Sequence, residues 1–357
     1  MSMKLEEFAR ESRATHKGDK SGVPIVGLEH LIPQEIKFSG YDVDTENTFT
    51  KTFKKGQILF GRRRAYLKKA AIADFDGICS GDITVIEAIP GKVDPLLLPF
   101  IIQNDKFFDY AVSRSAGGLS PRVKWEHLKD YEFDLPPIEE QRILADKLWA
   151  AYRLKESYKK LLTATQEMVK SQFIEMFGNP VTNTKGWKTA KIKDVAPEMP
   201  SKEQLSGKIW LLNLDMIESN TGRIIEKVYE DVENALSVQS FDEGNVLFSK
   251  LRPYLNKVVI PDEPGMATTE LVPLRPEPSK LHKVFLSHLL RGNQFVNYAN
   301  DIAGGTKMPR MPLTELRNFD CILPPMDKQL EFVFIAEQVD KSEFELRKSI
   351  EAIDQVI

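Results

Sequence analysis

Residues 56–69 read GQILFGRRRAYLKK, and residues 244–257 read GNVLFSKLRPYLNK. The two stretches lie 188 positions apart and share a glycine, a short apolar run, an arginine, a Tyr-Leu pair and a closing lysine at one spacing. Internal repeats decide architecture before local propensity does. With the offset held, Gly56 falls on Gly244, Leu59-Phe60 on Leu247-Phe248, Arg64 on Arg252, Tyr66-Leu67 on Tyr254-Leu255 and Lys69 on Lys257. ICSGDITVIE (78–87) then lies over MATTELVPLR (266–275), which sets Asp82 over Glu270, while Phe107 and Tyr110 meet Phe295 and Tyr298. Gly117-Gly118 meets Gly304-Gly305 with a slip of one residue, and Pro121-Arg122 returns to register on Pro309-Arg310. Finally LPPIEEQ (135–141) matches LPPMDKQ (323–329). The period is too long for a solenoid, so each copy is a domain with an attachment. The first copy occupies roughly 1–186 and the second 187–357.

The rest of the composition is that of an ordinary globular chain. At 357 residues it is long for one core, which favours several domains. A net charge of −3 announces no nucleic-acid binder, so any such function must rest on local charge. Cys79 and Cys321 stand far apart without CxxC spacing, which predicts buried free thiols in a reducing cytosol. The opening MSMKLEEFARES carries acids and no apolar segment, so a signal peptide is not expected. The longest apolar run, Leu96 to Ile102, is far too short to cross a bilayer.

Within a copy, the first part reads as a mixed domain of short strands and few helices. ILF (58–60), ITVIEAI (83–89) and VLF (246–248) are β-branched or aromatic and bounded by Gly, Pro or Asp. Apolar residues at Leu98, Ile101, Ile102 and Phe108 predict a helix over about 95–113. From Glu139 to Phe177 there is neither Gly nor Pro. Pro136-Pro137 and two acids open this stretch, and Gly178-Asn179-Pro180 closes it, which predicts one long helix. Leu144, Leu148, Ala151, Lys155, Tyr158, Leu162, Thr165, Val169, Gln172 and Met176 alternate four and three apart, a heptad seam interrupted by polar residues. A second stripe, Phe332, Ile335, Val339, Leu346, Ile350 and Ile353, predicts a second helix over 327–357. Neither helix can bury its stripe alone. Packing on each other, antiparallel, is expected over packing of each on its own domain.

Eight basic residues stand between 51 and 69 without an acid: Lys51, Lys54, Lys55, Arg62, Arg63, Arg64, Lys68 and Lys69. The second copy keeps Lys250, Arg252 and Lys257, each stretch has an aromatic at Tyr66 or Tyr254, and Arg122, Lys124, Lys307 and Arg310 follow the glycine pairs. A charge run alone is usually a solvated face. Its recurrence beside an aromatic points to a bipartite polyanion. The glycine pairs fit tight turns and fit close backbone approach to a phosphate equally well. Signals of catalysis are missing: there is no GxGxxG, Walker A loop or HExxH. LPPI and LPPM differ from the Asn/Asp-Pro-Pro-aromatic motif of amino-methyltransferases, since leucine cannot hydrogen-bond a target amine. Glu139 and Glu140 are helix neighbours that do not face each other. The histidines show no ligand spacing, and His288 reads as packing. No metal site is expected.

Taken together, G-x-(I/V)-L-F…R-x-Y-L-x-K, a Gly-Gly turn and LPP…Q leading into a long helix, each present twice, resemble the DNA-specificity subunits of type I restriction-modification systems over essentially the whole chain. The resemblance implies an α+β fold with two similar mixed α/β target recognition domains and two long helices forming an antiparallel coiled coil. The expected parts are a first recognition domain (1–138), a first spacer helix (139–178), a second recognition domain (179–326) and a second spacer helix (327–357). Each domain would read half of a split double-stranded DNA target, with the coiled coil setting the gap. DNA-binding candidates are Lys54, Lys55, Arg62, Arg63, Arg64, Tyr66, Lys68, Lys69, Arg122, Lys124, Lys250, Arg252, Tyr254, Lys257, Lys307 and Arg310. Methyltransferase subunits and a restriction/translocase subunit would be the partners, in the cytoplasm and without a membrane. S-adenosylmethionine, ATP and magnesium would belong to those partners, leaving this chain non-catalytic. Two other classes stand against this reading: a coiled-coil scaffold that never touches DNA, and a DNA-modifying enzyme with fused chemistry.

Overall fold

A computed structural model describes residues 2–203, 205–231, 238–305 and 307–357. It divides into two compact units, residues 1–156 with 351–357, and residues 157–350. No described helix is long and apolar enough to cross a membrane.

In the first unit, strand Ile58–Gly61 is buried along its whole length. Successive side chains of a strand point to opposite faces. Ile58 and Phe60 accordingly enter the core beneath the helices, while Leu59 enters a separate core with Phe53, Cys79 and Val85. A strand buried on both faces reads as a continuous apolar run, which is why ILF shows no alternation. It pairs antiparallel with Ala70–Ile72 on one side and Ile83–Ala88 on the other, and Ala9–Ser12 completes that four-stranded sheet. A second sheet places Gly77–Cys79 between Ile25–Val26, which is parallel to it, and Lys51–Phe53. A third ladder joins Ser2–Lys4 to Glu132–Asp134.

The second unit repeats this plan. Val246–Ser249 pairs with Val258–Val259 and Leu271–Leu274, with Val246 and Phe248 in one core and Leu247 in another. Gly265–Thr268 lies between Lys208–Leu212, parallel to it, and Val238–Phe241. Thr189–Lys191 meets Asp320–Ile322. One packing device recurs at the same offset. A Cβ on Gly77 would lie 2.7 Å from the Phe53 ring, and one on Gly265 would lie 2.6 Å from the Phe241 ring. Glycine is there so that a ring can rest on backbone. Cys79 and Cys321 are free and buried, and burial pushes both thiols up to about 12, which keeps them inert.

Two helical expectations change. The single helix over 95–113 is two helices, Leu98–Ile102 and Asp105–Ser113. The side chain of Asn104 accepts the Lys106 N–H at 3.0 Å and caps a new start, a stronger local signal than the apolar spacing that suggested continuity. The long helices are Ile138–Phe177 and Met326–Asp354. Near the ends of the first, the buried face is rotated by one residue from the expected seam. Gln141, Ala145 and Tyr152 are buried where Leu144, 39% exposed, was expected, and Phe173 and Phe177 replace Gln172 and Met176. At those positions the helix faces domain core as well as its helical partner: Ala145 joins the first core, and Phe173 and Phe177 pack on Phe285. Helix-on-helix and helix-on-domain packing therefore both occur. Within the second unit the helices run antiparallel, since Phe173 meets Phe332 (ring centroids 5.2 Å apart) and Gln166 donates to Glu343 at 3.2 Å. Within the first unit, Lys155 of the seam is buried and ion-paired to Asp354 at 2.5 Å.

The LPP…Q motif now has a physical reason. Gln141 and Gln329, 2% and 0% exposed, bind each long helix to its own domain. The Gln141 amide donates to Pro136 O (3.0 Å) and its oxygen accepts the Asp94 N–H (2.9 Å). Gln329 donates to Pro324 O (2.8 Å) and Lys280 O (2.9 Å) and accepts from His282 N–H (2.9 Å).

Candidate nucleic-acid interface

As the strand Ile58–Gly61 ends, the chain turns over a neighbouring loop and is pinned there by backbone bonds. Arg62 N–H donates to Asp82 O (2.9 Å), and Arg64 N–H donates to Pro121 O (2.8 Å). Arg64 and Lys68 both adopt left-handed backbone (φ 54° and 51°) around a 3₁₀ turn at Ala65–Leu67. The second unit repeats this bond for bond. Lys250 N–H donates to Glu270 O (3.0 Å), and Arg252 N–H donates to Pro309 O (2.7 Å). Arg252 and Asn256 are left-handed (φ 48° and 49°) around Pro253–Leu255. Left-handed backbone is costly for residues other than glycine, and such strain concentrates where a loop has work to do.

The glycine loops close on the same ladder. Ala116 bridges Arg122, and Gly304 bridges Arg310. Gly117 and Gly305 carry the positive φ, 113° and 103°. These equivalent residues stand 188 positions apart, so the expected one-residue slip does not exist. Gly117 matches Gly305, and the aligned glycine pairs had concealed it. The tight-turn reading of the glycines is supported by this geometry.

Charge is distributed unevenly among the candidates. Arg122 grips Asp82 with two nitrogens, Nε at 2.6 Å and Nη2 at 3.1 Å, and Arg310 grips Glu270 through Nε at 3.0 Å and Nη2 at 2.8 Å. Arg63 Nη2 donates to Ser120 Oγ at 3.1 Å, and its Nη1 lies 3.5 Å from Asp82. The Arg122 hydrogen bond is the leading reason that the Asp82 carboxyl stays below its usual range, against desolvation. Arg64 is exposed, with Nη2 3.3 Å from Ser120 Oγ. Tyr66 and Tyr254 stand out at 53% and 49% exposure, and Lys124 and Lys307 are exposed beside the glycine loops. Lys250 is half-buried at the loop. The Nε atoms of Arg62, Arg63 and Arg252 are buried and have no hydrogen-bond partner.

Other candidates are held elsewhere. Lys69 Nζ turns inward to Leu28 O (2.8 Å) and Lys257 Nζ to Leu214 O (2.6 Å), so these two lysines do not face outward as the repeat suggested. Desolvation pushes the Lys257 ammonium below its usual range. Lys68 pairs with Asp105 at 2.7 Å. Lys54 pairs with Asp76 at 2.9 Å, and the Lys55 N–H donates to the same carboxylate at 2.8 Å, at the opposite end of strand Ile58–Gly61 from Arg62. Three features escaped the sequence reading: the pairing of the aligned acids Asp82 and Glu270 with Arg122 and Arg310, Ser120, and a cleft of about 660 Å³ where Arg13, Lys51, Arg62 and Lys124 meet Trp125. The acid–arginine pairs had a signal, because each acid precedes its arginine by 40 residues in both copies.

Among the described residues, Glu29, His30 and Asp42 could in principle surround a cation. His30 Nδ1, however, accepts the Gly27 N–H at 2.9 Å, which leaves the ring proton on Nε2, the nitrogen facing Asp42 at 3.7 Å. That tautomer has no lone pair to offer there. His288 packs edge-on against Phe332, as expected of a core histidine.

Comparison with known proteins places these features in context. The family model described as type I restriction modification DNA specificity domain matches residues 8–164 and again 184–355. The type I restriction enzyme EcoDI specificity subunit of Escherichia coli is 32% identical over 130 residues, 34% of this chain and 29% of that protein. The match therefore spans less than a third of that relative's length. Of solved structures, the type I restriction-modification system S subunit from M. genitalium is 12% identical, with a TM-score of 0.58 over 100% of this chain and 93% of that one. A chain solved in work on complex assembly and conformational transition of the type I R-M system is 18% identical, with a TM-score of 0.54 over 99% and 96%. At these identities the structural likeness shows the fold alone.

Proposed function

The chain belongs to the type I restriction modification DNA specificity domain family, which it matches twice in tandem, and from that premise we propose that each unit reads one half of a bipartite double-stranded DNA target. One observation carries the proposal: the same basic loop, with the same backbone bonds, is built in both units. In each it holds at least one arginine whose buried Nε lacks a partner, Arg62 and Arg63 in one and Arg252 in the other. Those Nε atoms lie inside the loop, and it is the outer guanidinium nitrogens that would donate to a phosphate oxygen. Arg62, Arg63, Arg64, Lys124, Lys250, Arg252 and Lys307 would contact the backbone, with Tyr66 and Tyr254 beside them. Arg122 and Arg310, held by carboxylates, would present their remaining edges. Lys69 and Lys257 would act by shaping the loop. The long helices would space the half-sites.

The chain itself would be non-catalytic and cytoplasmic. Methyltransferase subunits would dock on the helix pair, where Leu161, Met168 and Phe334 remain 51%, 51% and 65% exposed beside an apolar groove of about 810 Å³. With the restriction/translocase subunit, they would carry S-adenosylmethionine, ATP and magnesium. A mobility-shift titration of the purified chain, alone and with a methyltransferase partner, separates this function from a scaffold, which leaves DNA unshifted. Incubating the chain alone with S-adenosylmethionine and DNA separates it from a fused modifying enzyme, which would methylate. The methylated motif, read in genomic DNA of cells with and without the chain, should be two short blocks around an unspecified gap. A single continuous motif would refute the assignment.

A further inference from the structure

The least expected feature of the basic loops is an acid at the heart of each. Asp82 is 20% exposed and Glu270 23%, so both carboxylates lie at the surface that would meet phosphate. A negative charge there weakens general attraction to DNA. Both copies nevertheless keep it, in the same arrangement. The residue's own carbonyl accepts the N–H of Arg62 or Lys250, and its side chain takes Nε and Nη2 of Arg122 or Arg310. That arginine's Nη1 then lies 3.4 Å from Ser120 O in one copy and 3.3 Å from Met308 O in the other. Its backbone pairs with the opposite side of the glycine loop, at Ala116 or Gly304. A single acid thus ties the basic loop to the glycine loop through both its main chain and its side chain. The bidentate geometry fixes the guanidinium plane, as a point-charge contact would not.

We propose that Asp82 and Glu270 are positioning residues for DNA recognition, one per half-site, which preset the basic loop and glycine loop for a specific complex while weakening attachment to unrelated DNA. This rests on the DNA-reading function proposed above and adds to it a division of labour. The arginines provide attraction, and the acids convert it into discrimination, because a loop held in one shape forfeits less ordering entropy on binding only where the DNA fits. The asymmetry of the two copies agrees: Arg63 leans on Asp82 in the first, and Leu251 takes its place in the second, yet the acid–arginine pair is unchanged.

The test uses the full chain with its methyltransferase partner, a duplex carrying the methylated motif, and duplexes in which either half-block is scrambled. Asp82→Asn should weaken binding to the complete motif about tenfold, the scale of losing one charge-assisted pair, while affinity for unrelated DNA holds or rises. Discrimination against a scrambled block should fall for one half only, and Glu270→Gln should affect the other half. Arg122→Lys retains both charges and removes only the fork, so it should reproduce the effect of Asp82→Asn even if the latter folds poorly. Equal loss of specific and unrelated binding, an equal gain in both, or no change in either overturns the proposal. A wild-type complex that shows no preference for the motif overturns the DNA-reading function itself, a result distinguishable from failure of the acids alone.

Discussion

The basic stretch 51–69 contains residues that the fold treats in opposite ways, and a salt titration can tell them apart. Arg62 and Arg64 are free of ion pairs among the described contacts, and Arg63 is shared with Asp82 at 3.5 Å. Lys69 is committed to Leu28 O. Each phosphate neutralised contributes about 0.9 to the slope of log K against log salt. Replacing Arg62, Arg63 and Arg64 together by Ala should therefore flatten the slope by about two to three, with Arg63 counting for less than one whole contact. Over a fourfold rise in salt, from about 50 to 200 mM, the mutant should lose about thirtyfold less affinity than the parent. Because phosphate contacts carry no sequence information, specific and unrelated duplexes should show the same change. Lys69→Ala should behave in the reverse way. It orphans a half-buried carbonyl and should cost about 1–3 kcal/mol of stability while leaving the slope alone. Fluorescence anisotropy at five salt concentrations, with urea denaturation of the same variants, reads both quantities. An unchanged slope in the triple variant would return the cluster to a solvated face. A slope change in Lys69→Ala equal to that of Arg64→Ala would show that the inward lysine is released on binding.

Three further outcomes follow from the structure. Gln329→Ala removes three buried hydrogen bonds and should cost about 3–4 kcal/mol of stability, against about 2–3 for Gln141→Ala, which removes two; chemical denaturation resolving each unit checks this order. His288 is half-buried beside Arg291, and desolvation, with the Arg291 charge, holds its imidazole well below the usual range. The unfolded chain then takes up a proton that the native one refuses, so stability should fall by about 1.4 kcal/mol per pH unit as pH drops below about 6.5, and His288→Phe should flatten that decline. Burial raises the neighbouring Asp340 and Glu343 carboxyls, whose uptake of protons in the native state opposes that decline. One heptad inserted into each long helix adds about 10 Å at about 1.5 Å per residue, and the gap should lengthen by about three base pairs; a folded double-insertion variant that kept the original gap would refute the spacer role.

Much of the architecture was legible because it depends on patterns that physics forces into the sequence. Strands buried on both faces must be continuous runs, so ILF and VLF declared themselves, and a 40-residue helix must lack Gly and Pro. What stayed hidden depends on where side chains point. Lys69 and Lys257 occupy the same register as their loop and look like any surface lysine, yet each follows a left-handed residue that turns it inward. The helix break at Asn104 depended on one cap bond against a longer apolar spacing. The rotated seam arose because the long helices answer to domain cores near their ends, which a heptad pattern cannot express. The acid–arginine pairs are partners 40 residues apart, and only the repetition of that interval betrays them.

The duplication preserves backbone more faithfully than charge, and the difference has a consequence. The main-chain bonds that pin the turn of the first basic loop, at Arg62 and Arg64, recur in the second at Lys250 and Arg252, but three consecutive arginines become Lys250, Leu251 and Arg252. Lys68, paired with Asp105, becomes Asn256, a residue that tolerates left-handed backbone and donates instead to Arg291 O at 2.9 Å. A frame repeated with different contents fits a target whose halves share a geometry without sharing a sequence. Two identical halves would bind a palindrome in either direction, whereas unequal loops allow a split site to be read in one orientation only. The loop with more cations should hold its half-site with the steeper salt dependence, so the same rise in salt should weaken protection of the first block by the larger factor, read by quantitative footprinting of both blocks. Equal weakening of both blocks would mean that the extra arginine of the first loop is neutralised by Asp82 rather than by DNA.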